Sequence, residues 1–329
     1  MRGDIAIEIV DLKKTYRDGW VKQAVHALRG ISFEVRRGEI FGLLGPNGAG
    51  KTTVIKVLLG IARKSGGAAS LWGHPAGDRE GRQRIGYLPE NLQVPAHHTA
   101  NSALDFYGGL SGMSRAEVHR RRADLLEMVE LEKRAGEYVR TYSKGMRQRL
   151  GLAQALMHDP EMLILDEPTD GLDPVGRRKV RDLLKHLKHE GKTIFLNSHL
   201  LQEVEMVCDR VAILDYGQVK YSGDVDEVTQ AARGSDRMAF ELDLVGEDRA
   251  VRDALKQASI ANLQEQAETK FHVSLTVADQ AEMDRYVDEL RVSGVSIVGL
   301  VQKRVSLEDA FIKLLGRGDV EDADVIEAE

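Results

Sequence analysis

Only one cysteine, Cys208, stands among the 329 residues, so no internal disulfide is available and no disulfide partner is expected. In the setting Val-Cys-Asp-Arg-Val that thiol reads as a small core residue, not a nucleophile. Long apolar runs are missing as well. The richest, Val54 to Ala62, is interrupted by Lys56 and falls short of the ~18 residues that span a bilayer. Any membrane role is therefore expected through a partner. The opening Met-Arg-Gly-Asp-Ile-Ala-Ile-Glu carries acids where a signal peptide would carry an unbroken apolar stretch, so no export address is expected there. An excess of positive charge is absent too. The formal charge is −6, and Asp319 to Glu329 alone holds six carboxylates with no Lys or Arg, so residues 1–318 carry no net charge. The acidity belongs to a tail that reads as a solvated end, and bulk charge gives no support to nucleic-acid binding.

Against these absences one stretch stands out. Gly45-Pro-Asn47-Gly48-Ala-Gly50-Lys51-Thr52-Thr53 fits the G-x-x-x-x-G-K-[ST] pattern with no mismatch. Glycines at 45, 48 and 50 let the backbone turn its N–H groups inward onto phosphate oxygens. Lys51 adds a full positive charge and Thr52 offers a hydroxyl to Mg²⁺. A helix over Lys51 to Leu59 would set its positive end against the phosphates. The apolar run Ile40 to Leu44 just before it supplies the strand that this motif requires.

Upstream, Ile5–Val10 and Ile31–Val35 alternate as antiparallel strands, with Tyr16 in the connection as a candidate for stacking on adenine. Downstream, Arg84-Ile-Gly-Tyr-Leu-Pro-Glu90 ends a short strand at a proline. From Thr99 to Glu130 apolar residues recur at helical steps, with Arg115 and Arg120 to Arg122 on the other side, read as a solvated face or a dock for an acidic partner. Ser143 is placed to cap a helix reaching about Met157, and Lys144-Gly145 leaves N–H groups open at its start.

Met162-Leu-Ile-Leu-Asp166-Glu167 reads as a buried parallel strand whose carboxylates emerge at its C-terminal edge. Asp166 is placed to hold the Mg²⁺ shell and Glu167 to polarise an attacking water. After a turn rich in breakers and a helix from about Val175 to His189, a second buried strand, Lys192 to Leu196, leads to His199, placed to face the γ-phosphate. Strands at Arg210–Asp215 and Gln218–Tyr221 close a first domain, with a boundary expected within residues 224–236. The remainder reads β-α-β-β-α-β, the split ferredoxin-like motif, followed by a short helix over Leu307 to Leu315; it shows no metal-ligand spacing and no nucleophile–base pair.

Taken together, residues 1–225 closely resemble the ATP-binding subunit of an ABC transporter. The Gly45–Thr53 loop looks like its Walker A motif, Tyr142-Ser-Lys-Gly-Met146 like a variant of its Leu-Ser-Gly-Gly-Gln signature, and Leu163 to Glu167 like its Walker B. Asp173 matches its D-loop aspartate, His199 its switch histidine and Tyr16 its adenine-stacking aromatic. The resemblance implies an α/β P-loop cassette over residues 1–225, with a mixed core sheet, antiparallel strands and a helical subdomain at about 95–160. A small α+β ferredoxin-like domain over 236–318 and an acidic tail over 319–329 would follow.

It also implies ATP and Mg²⁺ as cofactors, with Thr52, Asp166 and Glu90 around the metal. The ATPase would work as a dimer in which each nucleotide lies between the Walker loop of one copy and Ser143, Lys144, Gly145 and Met146 of the other, with Asp173 coupling the two. The partners implied are integral membrane permease subunits and a second ATPase subunit, expected to be another copy or a related chain, with attachment at the cytoplasmic face of the membrane. Two positions depart from the family pattern, since Glu90 and Met146 stand where glutamine is usual. With the extra C-terminal domain, they resemble the bacterial subfamily that pairs with ABC-2 type membrane proteins, mostly exporters.

Two other classes share parts of this pattern. Soluble ABC ATPases of ribosomes or DNA generally carry two cassettes or a long coiled-coil insertion, and a P-loop GTPase would want an Asn-Lys-x-Asp motif. None of these features is in the sequence. The cargo is not written in this chain.

Overall fold

The computed structural model describes residues 4–17, 24–232, 238–256, 258–267, 269–303 and 306–315. Within these residues the chain forms two compact units, one running up to Val225 and the other spanning Asp226–Lys313. The acidic stretch 319–329 lies outside the described residues.

In the first unit the continuously apolar runs become the centre of a six-stranded sheet. Its order is Gln218–Asp224, Arg210–Asp215, Ile40–Leu44, Thr193–Asn197, Met162–Asp166 and Ile85–Leu88. Every pairing is parallel except that of Gln218–Asp224 with Arg210–Asp215. Ile40–Leu44, Met162–Asp166 and Thr193–Asn197 are buried along their whole length, as strands covered on both faces must be. Phe33, Phe41 and Phe195 stack in the core.

Four further strands make a separate antiparallel sheet, ordered Val25–Arg36, Ile5–Tyr16, Gly66–Leu71 and His74–Pro75. The first strand runs to Tyr16, well past the expected Val10, because a register shift between Ile9 and Leu12, with Asp11 at φ 45°, carries pairing through the polar stretch. Tyr16 is thus a strand residue paired with Val25, not a connection residue.

The expected helical stretch from Thr99 to Glu130 is two helices, Ala100–Leu110 and Arg115–Met128, each opened by a reciprocal capping box, Thr99 with Ser102 and Ser114 with Glu117. Two of the four arginines here serve the fold. Arg122 holds Asp105 on the neighbouring helix and Arg121 holds Asp159, so this part of the cluster is neither a merely solvated face nor a free dock.

The second unit holds a four-stranded sheet in the order Ser259–Ala267, Lys270–Val277, Met238–Val245 and Ser296–Lys303, all antiparallel. Helices Asp248–Ala254 and Gln280–Val292 supply the two α elements of the βαββαβ arrangement. Alternate residues Phe240, Leu242, Leu244, Phe271, Val273 and Leu275 build its own core with Val251, Met283 and Leu290. Helix Val225–Ala232 occupies part of the stretch read from sequence as irregular, and the rest of that stretch, residues 233–236, lies outside the described residues.

Candidate active site

Parallel strands in register end side by side. Leu43 pairs with Asn197, Asn197 with Asp166 and Leu165 with Leu88. Their C-terminal ends therefore deliver the Gly45 loop, His199, Glu167 and the approach to Glu90 to one sheet edge, where α/β folds bind ligands.

The loop itself surrounds a cavity of about 470 Å³ lined by Pro46, Asn47, Gly48, Ala49, Gly50, Lys51, Thr52 and Thr53 on one side and by Ala24–Ala27, Arg29 and Tyr216 on the other. Gly45 and Gly50 must be glycine. Their φ values are 153° and 108°, and an added Cβ would lie 2.3 Å from Leu214 O and 2.6 Å from Ala27 O. Helix Lys51–Leu58 begins at Gly50 with no side-chain cap, so the N–H groups of its first turn are available to an anion. The Lys51 ammonium is buried and donates to Gly45 O at 2.6 Å and Pro46 O at 3.2 Å.

Beside it stand the acids. Asp166 is 2% exposed and accepts from Asn197 Nδ2 at 2.5 Å, and Glu167 Oε2 lies 2.8 Å from His199 Nδ1. Glu167 holds φ 52°, an uncommon backbone for a residue with a side chain, pinned by its N–H to Asn197 O (2.9 Å) and by its carbonyl to Gln148 Nε2 (3.1 Å). Burial lowers the Lys51 pKa, against the fields of Glu167, Asp166 and Glu90. Burial also raises that of Asp166; the Asn197 hydrogen bond and Lys51 oppose the rise, and Glu90 and Glu167 add to it. Three carboxylates thus share one ammonium. That surplus of negative charge, presented by hard oxygen donors with the Thr52 hydroxyl nearby in the loop, fits a divalent cation.

Other residues expected in the site lie apart from this cavity. Ser143 accepts from Met146 N at 3.2 Å as the cap of helix Lys144–Ala155, and Lys144 Nζ pairs with Asp170 at 2.6 Å. Gly145 faces Leu172, whose Cδ2 would be 3.0 Å from an added Cβ. None of Ser143, Lys144, Gly145 and Met146 lines the cavity beside Lys51. Asp173 caps helix Pro174–His189 by accepting from Gly176 N at 2.8 Å. Tyr16 is not brought to the cavity either; it is 38% exposed with the Lys14 ammonium 4.5 Å over its ring, while its strand partner Val25 does line the cavity.

Three residues here were not singled out by sequence reasoning. Tyr216 lines the cavity because the hairpin turn Tyr216-Gly217 is tied to the loop by Gly217 N to Ala49 O and to the neighbouring strand by Arg29 N to Gly217 O. Gln148 and Asn197 are buried polar side chains fastened to the acid pair. Little in the sequence points to them: Gln148 stands between two arginines and Asn197 just past an apolar run, both ordinary places for a polar side chain before packing is known.

The family model described as ABC transporter matches residues 28–170. The chain is 44% identical over 313 residues to an uncharacterized ABC transporter ATP-binding protein of Synechocystis, covering 94% of this chain and 84% of that relative. It is 36% identical to a Nod factor export ATP-binding protein of Burkholderia lata, over 88% of this chain and 92% of that one. Among solved structures it is similar to an ATP-binding cassette in a dimeric post-hydrolysis state bound to ADP and Pi, at 25% identity and a TM-score of 0.61, over 66% of this chain and 98% of that one.

Proposed function

The chain belongs to the ATP-binding subunits of ABC transporters and is an ATPase, and from that premise we propose that it is the energy-coupling subunit of an exporter. Two subunits pair head to tail, each ATP lying between the Gly45–Thr53 loop of one and Ser143, Lys144, Gly145 and Met146 of the other. Closure on ATP and reopening after hydrolysis move separate permease subunits at the cytoplasmic face of the membrane. The export-named relative supports the direction, and the dimeric cassette among its structural neighbours supports the pairing. No helix among the described residues is long and apolar enough to cross a membrane, so the proposal requires a membrane partner.

In the chemical step, loop N–H groups and Lys51 hold the phosphates. Thr52, Asp166 and Glu90 would hold Mg²⁺, which when bound neutralises charge on the phosphate oxygens. Glu167 accepts the proton of the attacking water, and His199 holds the Glu167 carboxylate and faces the γ-phosphate. Tyr16, outside the phosphate cavity but paired with the cavity-lining Val25, would stack on a base reaching beyond that cavity, and Asp173 would couple the two subunits.

The observation that carries this reading is the contact of His199 with Glu167 (2.8 Å) at the sheet edge that also presents buried Lys51 and Asp166. Glu167→Gln is expected to lower ATP turnover by about 10²–10⁴-fold with ATP binding retained. Near-normal turnover would remove Glu167 from its role. The same variant, purified gently from native membranes, is expected to bring a polytopic membrane protein in stoichiometric amount; recovery with ribosomal or nucleic-acid companions instead would favour a soluble ABC ATPase.

A further inference from the structure

Asn197 ends its strand directly beside Asp166 in the parallel register and is 2% exposed. It touches both acids. Its Nδ2 donates to Asp166 Oδ1 at 2.5 Å, and its backbone carbonyl accepts the N–H of Glu167 at 2.9 Å, holding that residue at φ 52°. The amide orientation follows from the chemistry, because turning Oδ1 toward Asp166 would set two acceptors against each other. Oδ1 is therefore the free end, and it is buried with no hydrogen-bond partner among the described residues. A buried carbonyl left unpaired is costly. Two buried donors of the site bond to other oxygens, Lys51 to Gly45 O and Pro46 O and Gln148 to Glu167 O.

We infer that Asn197 is a positioning residue for the divalent cation: its amide nitrogen fixes the Asp166 carboxylate, and its Oδ1 accepts a hydrogen bond from a water in the cation's shell. This rests on the reading of Asp166 as part of that shell. Groups that orient a metal's ligands affect affinity through the ligand they hold, which is the case here. A leucine, branched at the same atom, would remove both polar functions. A serine would keep them, since a hydroxyl can donate to Asp166 while accepting from water.

The test is a titration of Mn²⁺ into the full chain holding a nonhydrolysable ATP analogue, followed by electron paramagnetic resonance, with analogue affinity measured separately in excess chelator. Asn197→Leu is expected to weaken Mn²⁺ about 10–100-fold with the metal-free analogue affinity unchanged, and Asn197→Ser to recover most of the loss. Asn197→Ala carries the same expectation if the leucine variant does not fold. Unchanged Mn²⁺ affinity would overturn the inference, and so would an equal loss of analogue affinity in chelator, which marks a merely structural residue. Asp166→Asn separates the two levels. If it leaves Mn²⁺ bound, the reading of the metal shell fails; if it abolishes Mn²⁺ binding while Asn197→Leu does not, only the role of Asn197 fails.

Discussion

Lys51 occupies a site built to hold a charge that water no longer solvates. Its ammonium is buried against the carbonyls of its own loop and faces Glu167, Asp166 and Glu90. A phosphate in the cavity would meet this charge across a short, water-poor distance, where charge-assisted hydrogen bonds contribute about 1.5–3 kcal/mol each. Lys51→Ala is therefore expected to weaken ATP binding itself by about 10–100-fold, measured by calorimetric titration; unchanged affinity would exclude this loop as the phosphate site. Set beside the outcome expected for Glu167→Gln, binding retained with turnover lowered, this loss of affinity would separate the residue proposed to hold the nucleotide from the one proposed to act on it. Cys208, by comparison, is inert. Burial raises its thiol pKa and keeps it protonated among core side chains.

At the scale of elements, the signature helix Lys144–Ala155 is coupled to the strand that leads to Glu90. The helix and strand Ile85–Leu88 approach through glycines: a Cβ at Gly86 would lie 2.0 Å from Ala155 O, and one at Gly151 would lie 2.5 Å from Leu88 Cδ1. Gly86→Ala is expected to push the helix off the sheet at a cost of about 1–3 kcal/mol, read as a lower midpoint in denaturant. Just past the same helix, His158 Nε2 donates to Ile85 O at 3.0 Å, and burial lowers its pKa below the usual 6.5. The unfolded chain therefore takes up this proton first as pH falls. The contribution of neutral His158 is fully present above about 6.5 and declines as pH drops through that value toward the lower folded one. His158→Gln should flatten the fall in stability below pH 6.5, and an unchanged slope would show that other groups set it.

For the whole molecule, two units with separate cores make a separable arrangement the natural expectation. A fragment ending at residue 232 should bind ATP with affinity close to that of the full chain, since among the described residues all those lining the phosphate cavity precede Gly217. Loss of binding in a fragment that still unfolds cooperatively would place part of the nucleotide site in the second unit. The same fragment, compared with the full chain for dimer formation and turnover, reports whether the second unit aids pairing or tunes the cassette.

Local pattern by itself determined much of this protein. The Gly45–Thr53 loop was legible because phosphate chemistry constrains glycine, lysine and hydroxyl at fixed spacing, and the buried parallel strands were legible because covering both faces demands unbroken apolar runs. The order of motifs likewise placed Glu167 and His199 before any fold was known. Tertiary structure alone decided the rest. Only strand register sets Asn197 beside Asp166, only the tie of Gly217 to Ala49 carries Tyr216 to the cavity while Tyr16 stays at a strand end, and only packing turns Arg121 and Arg122 inward to Asp159 and Asp105. The physical reason is common to all three. A motif is a condition on neighbours in the chain, whereas a partner for a buried amide, an aromatic ring or a guanidinium is chosen among residues far apart in sequence, and that choice exists only once the backbone has closed around them.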